Sequence, residues 1–334
     1  MTSARPQICK LAKTISLLPP ATPCSMQSRK AGRENKSDRG KHSSRSTAKT
    51  FSSLAPPTDE ESHALAGCMP PLAGRPLPPP SFHRTDWRPN QRFSEEQDPD
   101  RTRLRWDFPE FVRQLDPREQ QTRVENLPVA SRGSFARVVR NVLGQEECAA
   151  LISRVNAKGF TPALLNMGGG NQQLIPGARD GHRVIVDTPE LADWLFQVLL
   201  PFLPAELEDG SSLVELNERC RFLCYTPGQQ FPAHCDGTFE RPDGHPHSGD
   251  FSYVTVQLYL HDVPASFGGA TAFMCPGRPR HQPEAGSVLL FSQDLMHEGC
   301  IVEDGIKYTL RTEAMYAPPG SRGHRAATHE IETA

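Results

Sequence analysis

An α+β fold, a β-sandwich or jelly roll with helices covering one side, is the class that this 334-residue sequence predicts. Three observations carry it. Two amphipathic segments with helical start signals fall between Gly144 and Leu200, and from Arg219 on the pattern changes to short β-like runs separated by Gly and Pro. The first 90 residues, by contrast, have a composition that does not build a core, in keeping with a hydrophobic content of only 37%.

Residues 1–50 hold 11 Lys and Arg against Glu34 and Asp38, a local charge of +9 in a chain whose formal net charge is −2. Such a segment buries too little apolar surface to offset its ordering entropy, so it reads as a disordered basic arm. An organelle transit peptide (mitochondrial or plastid) is the sharper alternative, since those are Arg- and Ser-rich and acid-poor, but Pro19, Pro20 and Pro23 interrupt any amphipathic helix. From Leu54 to Pro89 prolines cluster around Pro76 and Pro78-Pro79-Pro80, which favours an extended linker or a ligand for an SH3 or WW domain. Residues 1–90 are therefore expected to form a disordered basic and Pro-rich extension and residues 91–133 a linker. Within that linker Phe108, Phe111, Val112 and Leu115 repeat at helical spacing and predict a short docking helix.

The compact domain is expected over residues 134–318, with a flexible tail at 319–334. Phe135 to Arg140 has strand character. Gly144-Gln145-Glu146-Glu147 then opens a helix to about Asn156, with Cys148, Leu151, Ile152 and Val155 as its apolar stripe and Gly159 near its end. Arg183 to Asp187 reads as a strand, and Thr188-Pro189-Glu190 starts a second helix that Pro201 and Pro204 stop. Six strands follow: Arg219 to Tyr225, Phe231 to Asp236, Ser252 to Leu260, Ala270 to Cys275, Ser287 to Phe291 and Lys307 to Tyr316.

Several function classes are disfavoured. Nine irregularly spaced cysteines with no signal-peptide core before them argue against a disulfide framework and for a reducing, cytoplasmic or nuclear setting; Cys220 and Cys224 read as buried apolar groups. No run of 18 apolar residues predicts a membrane span. The body carries −11 beyond residue 50, which does not suit a nucleic-acid groove. Gly168-Gly169-Gly170 lacks the Gly-Lys-Ser/Thr and following helix of a phosphate loop.

The chemistry concentrates between Tyr225 and Arg311. In an extended strand His234 and Asp236 point to one face and Cys235 to the other. His-x-Asp alone is weak. His297 follows an apolar strand, where a loop residue could reach back to the pair, and if the chain folds so that it joins them, the three occupy one face of an octahedral metal, as in non-haem Fe(II) oxygenases. Lys307, with Thr309 and Arg311 on its face, could anchor a dicarboxylate that chelates the metal. His245 and His247 sit in a loop beyond the metal strand and read as solvent-exposed. Residues 160–182 could form a lid.

Leu216-Asn217-Glu218-Arg219, Tyr225-Thr226-Pro227-Gly228, His234-x-Asp236, Tyr259-Leu260, Gly268-Gly269-Ala270-Thr271, His297-Glu298-Gly299 and Gly305-x-Lys307-Tyr308 jointly resemble the prolyl 4-hydroxylase-like branch of the 2-oxoglutarate and Fe(II)-dependent dioxygenases, from about Phe135 to Tyr316. The resemblance implies a double-stranded β-helix (jelly roll) core and iron held by His234, Asp236 and His297. It places the distal carboxylate of 2-oxoglutarate on Lys307, with Arg311 as runner-up, and Tyr225 and Tyr259 along the cosubstrate pocket. It implies Fe(II), 2-oxoglutarate and O2 as cofactors, admits ascorbate, and makes the substrate a peptide, through proline or another side chain, or a small molecule. Retention of Asp236 favours hydroxylation over halogenation. The rival from another class is a catalytically silent metal-binding scaffold on the same barrel, against which the intact His, Asp, His and Lys set speaks. The acidic body disfavours a nucleic-acid demethylase, and the oligomeric state is left open.

Overall fold

The computed structural model describes residues 79–94, 104–105, 122–129, 133–168 and 171–321. The basic arm, most of the Pro-rich stretch and the expected docking helix at Phe108 to Leu115 lie outside them. In chain order the elements are β1 (Arg92–Phe93), β2 (Leu104–Arg105), β3 (Arg123–Asn126), β4 (Ala136–Arg140), α1 (Gln145–Lys158), β5 (Thr161–Pro162), β6 (Leu165–Gly168), β7 (Asn171–Gln173), β8 (His182–Asp187) and α2 (Pro189–Leu199). There follow β9 (Ser212–Leu216), β10 (Arg219–Tyr225), β11 (Phe231–His234), β12 (Phe251–Tyr259), β13 (Thr271–Phe273), β14 (Arg280–His281), β15 (Val288–Ser292), β16 (His297–Gly299) and β17 (Lys307–Ala317).

Both helices form for local reasons visible in the sequence. The Glu147 carboxylate reaches back 2.5 Å to the Gly144 amide, satisfying one of the donors that a helix start leaves unpaired, and Gly159 at φ +79 ends α1. Thr188 Oγ1 accepts from the Leu191 amide at 3.4 Å ahead of Pro189 in α2. Their apolar stripes, Cys148, Leu151, Ile152 and Val155 on α1 and Leu191, Leu195 and Leu199 on α2, share one core with Val186, Phe222, Val256 and Leu310 of the large sheet. At roughly 1.5–3 kcal/mol for each fully buried large aliphatic or aromatic side chain, this layer is the main stabilising term of the fold. Cys220 and Cys224 are buried in it, as expected.

The large sheet runs β2-β8-β10-β17-β12-β15-β4-β3, with β5 added to β8 and β9 to β17. A four-stranded sheet runs β11-β16-β13-β14, and a small one β1-β7-β6. One cavity is lined by Leu223, Tyr225, Gln257, Lys307 and Arg311 from the large sheet and by Phe231, His234, Thr271 and His297 from the four-stranded sheet. The site therefore lies between the two layers of the jelly roll, the architecture expected. No helix among the described residues is long and apolar enough to cross a membrane.

Three expectations need correction. The folded body begins well before Ser134: Phe82 packs on Phe160 and on the ring of His182, His83 N–H donates to Phe160 O at 2.8 Å, and Trp87 meets Phe93 over Leu164 and Leu174. Prolines dominate that segment's composition, but its three aromatic residues bury enough surface to dock it. β3, assigned to the linker, pairs with β4. His297 is a strand residue rather than a loop residue, because Gly299 and His297 pair with Phe231 and His234 on one side and with Thr271 and Phe273 on the other.

Gly268 holds the turn that delivers β13 to this sheet. It sits at φ +71, a Cβ there would lie 2.3 Å from the Ile301 carbonyl oxygen, and Gly269 N–H donates to that same oxygen at 2.8 Å. Gly268→Ala is expected to lower unfolding stability by about 2–4 kcal/mol in urea titrations, through combined strain and backbone clash. Gly237→Ala, where no neighbouring atom lies within 4 Å, is expected to change it by less than about 0.5 kcal/mol.

Candidate metal centre

The antiparallel register of β11 and β16 sets His234 directly opposite His297, with ring centroids 4.3 Å apart. Asp236 lies two residues beyond His234, just past the end of β11, where its amide donates to Gln293 O at 3.0 Å. His234 Nε2 is 3.5 Å from Asp236 Oδ1 and His297 Nε2 is 3.8 Å from Asp236 Oδ2. One ligand atom from each of the three residues falls within 4.8 Å of the others.

The orientation of both rings follows from a shared local contact. His234 Nδ1 lies 2.8 Å from Pro232 O and His297 Nδ1 lies 2.9 Å from Leu295 O, each the carbonyl two residues back. A carbonyl can only accept, so each Nδ1 carries a proton and each Nε2 is the nitrogen left to face the centre, the orientation that a ligand imidazole needs. Phe231 stacks on His234 at 3.6 Å, and Phe291 packs edge-on against His297 at 4.6 Å. Burial pushes His297 down to about 4, only partly opposed by Asp236, so it is neutral near pH 7. Burial would also raise Asp236, but the Arg311 guanidinium, with His297 and His234, outweighs it and holds the carboxyl well below the ordinary range. Two imidazole nitrogens and one ionised carboxylate on one side of an open space are a donor set that fits a divalent cation such as Fe(II).

Across the cavity, β17 runs beside β10 and β12, and period-two alternation puts Lys307, Thr309 and Arg311 on its inner face. Lys307 is 3% exposed, lies 5.7 Å from the ring centres of both Tyr225 and Tyr259, and forms no ion pair among the described residues. Burial lowers its ammonium to about 8, with Cys300 acting the other way. Thr309 Oγ1 is likewise buried and without a hydrogen-bond partner. Tyr225 lines the cavity, whereas Tyr259 lies behind it with its hydroxyl donating to Thr271 Oγ1 at 2.8 Å.

Arg311 is engaged elsewhere. Its Nη2 is 3.0 Å from Asp236 Oδ1 and 3.7 Å from Glu313 Oε1, and Glu313 is bound in turn by Arg221 at 2.7 Å. Thr255 Oγ1 donates to Asp236 Oδ2 at 2.6 Å, so both carboxylate oxygens have protein partners. Asn217 donates to Glu313 as well, and Glu218 accepts from Arg241, which gives the Asn217-Glu218 motif a structural purpose. Arg241 also holds His245 at 3.2 Å, while His247 is exposed, so neither loop histidine joins the triad. Cys235 points away, its thiol on Asp294 O.

Four residues of the cavity went unread in the sequence, Arg179, Leu223, Phe231 and Gln257, as did Thr255, which holds Asp236. Thr255 and Gln257 follow from the same alternation along β12 that puts Tyr259 inward. Phe231 is three residues before His234, across a register irregularity in β11 that no local pattern announces. Arg179 comes from a turn and has no periodicity at all.

The sequence pattern of the 2OG-Fe(II) oxygenase superfamily matches residues 220–312, the stretch that holds all three triad residues, Lys307 and Arg311. No curated protein matches the chain. Among solved structures, a viral collagen prolyl hydroxylase from Paramecium Bursaria Chlorella virus-1 in complex with 2OG is 20% identical, covering 54% of this chain and 95% of its own, with a TM-score of 0.39. A Pseudomonas putida prolyl-4-hydroxylase is 18% identical over 57% of this chain and 95% of its own, with a TM-score of 0.38. A prolyl hydroxylase from Trichoplax adhaerens, solved with a hypoxia inducible factor peptide fragment, is 17% identical over 65% and 96%, with a TM-score of 0.42. Residues 220–312, which include the strands that build the centre, thus carry the sequence pattern of the 2OG-Fe(II) oxygenase superfamily.

Proposed function

We propose that this chain is a hydroxylase of the prolyl 4-hydroxylase type, in which His234, Asp236 and His297 hold Fe(II) and Lys307 binds the distal carboxylate of 2-oxoglutarate. Its substrate is a protein side chain, proline among them, or a small molecule. The observation that carries the proposal is Lys307: a buried ammonium with no carboxylate partner among the described residues, in the same cavity as two imidazoles and a carboxylate whose ligand atoms lie within 4.8 Å of one another. Isolated buried charges are costly, so an ammonium kept in that position is set for an anionic partner that arrives with the reaction. Thr309 Oγ1, also unpartnered, is a second donor on the same strand face.

Iron held by His234, Asp236 and His297 would supply the redox chemistry by which O2 gives one oxygen atom to 2-oxoglutarate, forming succinate and CO2, and the other to a substrate C–H bond. The protein's contribution is positional and electrostatic. The Pro232 and Leu295 carbonyls hold both imidazoles in one tautomer; Arg311 and Thr255 keep Asp236 ionised and fixed in orientation; Phe231, Phe273 and Phe291 wall the ligand rings against water.

Fe(II)-dependent release of succinate from 2-oxoglutarate is expected in the purified protein, and His297→Ala is expected to lower it at least 100-fold; metal-independent turnover would refute the proposal. Lys307→Ala is expected to raise the Kd for 2-oxoglutarate at least tenfold, measured by calorimetry with Mn(II) in place of iron, because a charge-assisted pair is lost. Arg311→Met is expected to act differently: removal of one partner of a buried pair destabilises the apoprotein by about 3–5 kcal/mol at pH 7. That deficit narrows as the pH falls, because the unpaired Asp236 then takes up a proton.

The lowered Lys307 pKa gives a pH signature. The cation is present below about 8 and is lost as the pH rises through that value, so 2-oxoglutarate binding weakens on the alkaline side. Lys307→Arg is expected to flatten this dependence, since arginine stays charged throughout.

A further inference from the structure

Building on the proposed Fe(II) and 2-oxoglutarate site, we infer that Arg179 is a specificity-determining residue that receives a carboxylate carried by the substrate. Arg179 sits in the turn between β7 and β8 and lines the cavity beside Phe231 and Tyr225. It is 8% exposed. Nη1 donates to Leu164 O at 3.3 Å, whereas Nε and Nη2 are buried with no hydrogen-bond partner among the described residues. Those two nitrogens form one edge of the planar guanidinium, the edge that meets a carboxylate through two parallel hydrogen bonds. A guanidinium tethered at Nη1 with this edge open is a half-made bidentate pair.

The turn that carries it is braced on every side. Ala178 and Arg179 amides both point to Ile175 O, Asp180 Oδ1 accepts from the Gly177 amide at 3.0 Å, and the Asp180 amide donates to Gln230 O next to Phe231. Gly181, at φ +112, lets the Tyr225 ring approach so closely that a Cβ would stand 2.8 Å from it. The Arg179 guanidinium is 4.9 Å from the Phe231 ring centre, and Phe231 in turn stacks on His234, so the open edge is one aromatic ring away from a metal ligand.

Charge balance points the same way. Arg179, Lys307 and Arg311 face the cavity against Asp236 as its one carboxylate, an excess of two positive charges. Fe(II) and the dianion of 2-oxoglutarate add nothing net. Arg311 is paired with Asp236 and Lys307 is assigned to the cosubstrate, which leaves Arg179 as the lining cation with no carboxylate partner among the described residues. Its contact with Phe231 is a cation–π interaction, but that uses the face of the guanidinium and leaves the edge free.

The test uses the full-length Fe(II) protein and capped hexapeptide pools that differ only in containing Asp/Glu, Asn/Gln or Lys, with a parallel set of small mono- and dicarboxylic acids. The readout is the stimulation of succinate release over the basal rate. An acidic pool, or the carboxylic acids if the substrate is small, is expected to stimulate at least tenfold more than its amide counterpart. Arg179→Gln is expected to remove that preference and Arg179→Lys to keep part of it, while the Kd for 2-oxoglutarate with Mn(II) stays within twofold of wild type in both. The retained Kd shows that the variants are folded. No preference in the wild type, or a preference that survives Arg179→Gln, overturns the inference while leaving the cosubstrate site intact. A rise of tenfold or more in the 2-oxoglutarate Kd of Arg179→Gln also overturns it, because Arg179 would then be a cosubstrate anchor. Failure of the wild type to bind 2-oxoglutarate at all removes the proposed function and this inference with it.

Discussion

The site depends on a short antiparallel pairing. β16 is three residues long, yet it is hydrogen-bonded on both edges, to β11 and to β13, and this sets His297 opposite His234 rather than one residue out of step. Because side chains alternate faces along a strand, a slip of one residue would turn an imidazole out of the cavity. The glycine turn before β13 and the apolar packing of Phe273 and Phe291 against His297 hold that register in place. Position comes from the four-stranded sheet and charge from the large one.

That division shows in the electrostatics. A carboxylate with its side chain 3% exposed would ordinarily resist ionisation, and an ammonium as buried as Lys307 would tend to lose its proton. The large sheet resolves the first with Arg311 and Thr255, which partner the two oxygens of Asp236. It leaves the second unresolved. A paired carboxylate suits a permanent cation ligand, and an unpaired ammonium suits an anion that comes and goes; the large sheet carries both the partners of Asp236, on β12 and β17, and Lys307, on β17.

Much of this was legible in the sequence, and the gaps have physical causes. α1, α2, β4, β8, β10, β12, β15 and β17 were readable because each is long enough to show its period, and their ends agree with the patterns to within a residue or two. The motif residues His234, Asp236, His297 and Lys307 line one cavity. Arg311 was weighed as an anchor because spacing alone does not say which acid a buried arginine will meet; the fold brings it to Asp236. Strands of two or three residues such as β5, β7 and β16 carry too few side chains for alternation to register. Arg179 is set by contacts with Leu164, Gln230 and Tyr225, far apart in the chain, and no local pattern encodes that. The aromatic residues between Phe82 and Phe93 were hidden by the prolines around them.

The site rests on His234 and Asp236, at and just past the end of β11, sharing one cation with His297 of β16. Electron spin echo spectroscopy of the full-length protein loaded with Mn(II), with histidine labelled with nitrogen-15, reads that directly. Two coordinated histidine nitrogens in the wild type and one in His234→Ala are expected. A spectrum with no histidine coupling, or one unchanged by that substitution, would contradict the triad.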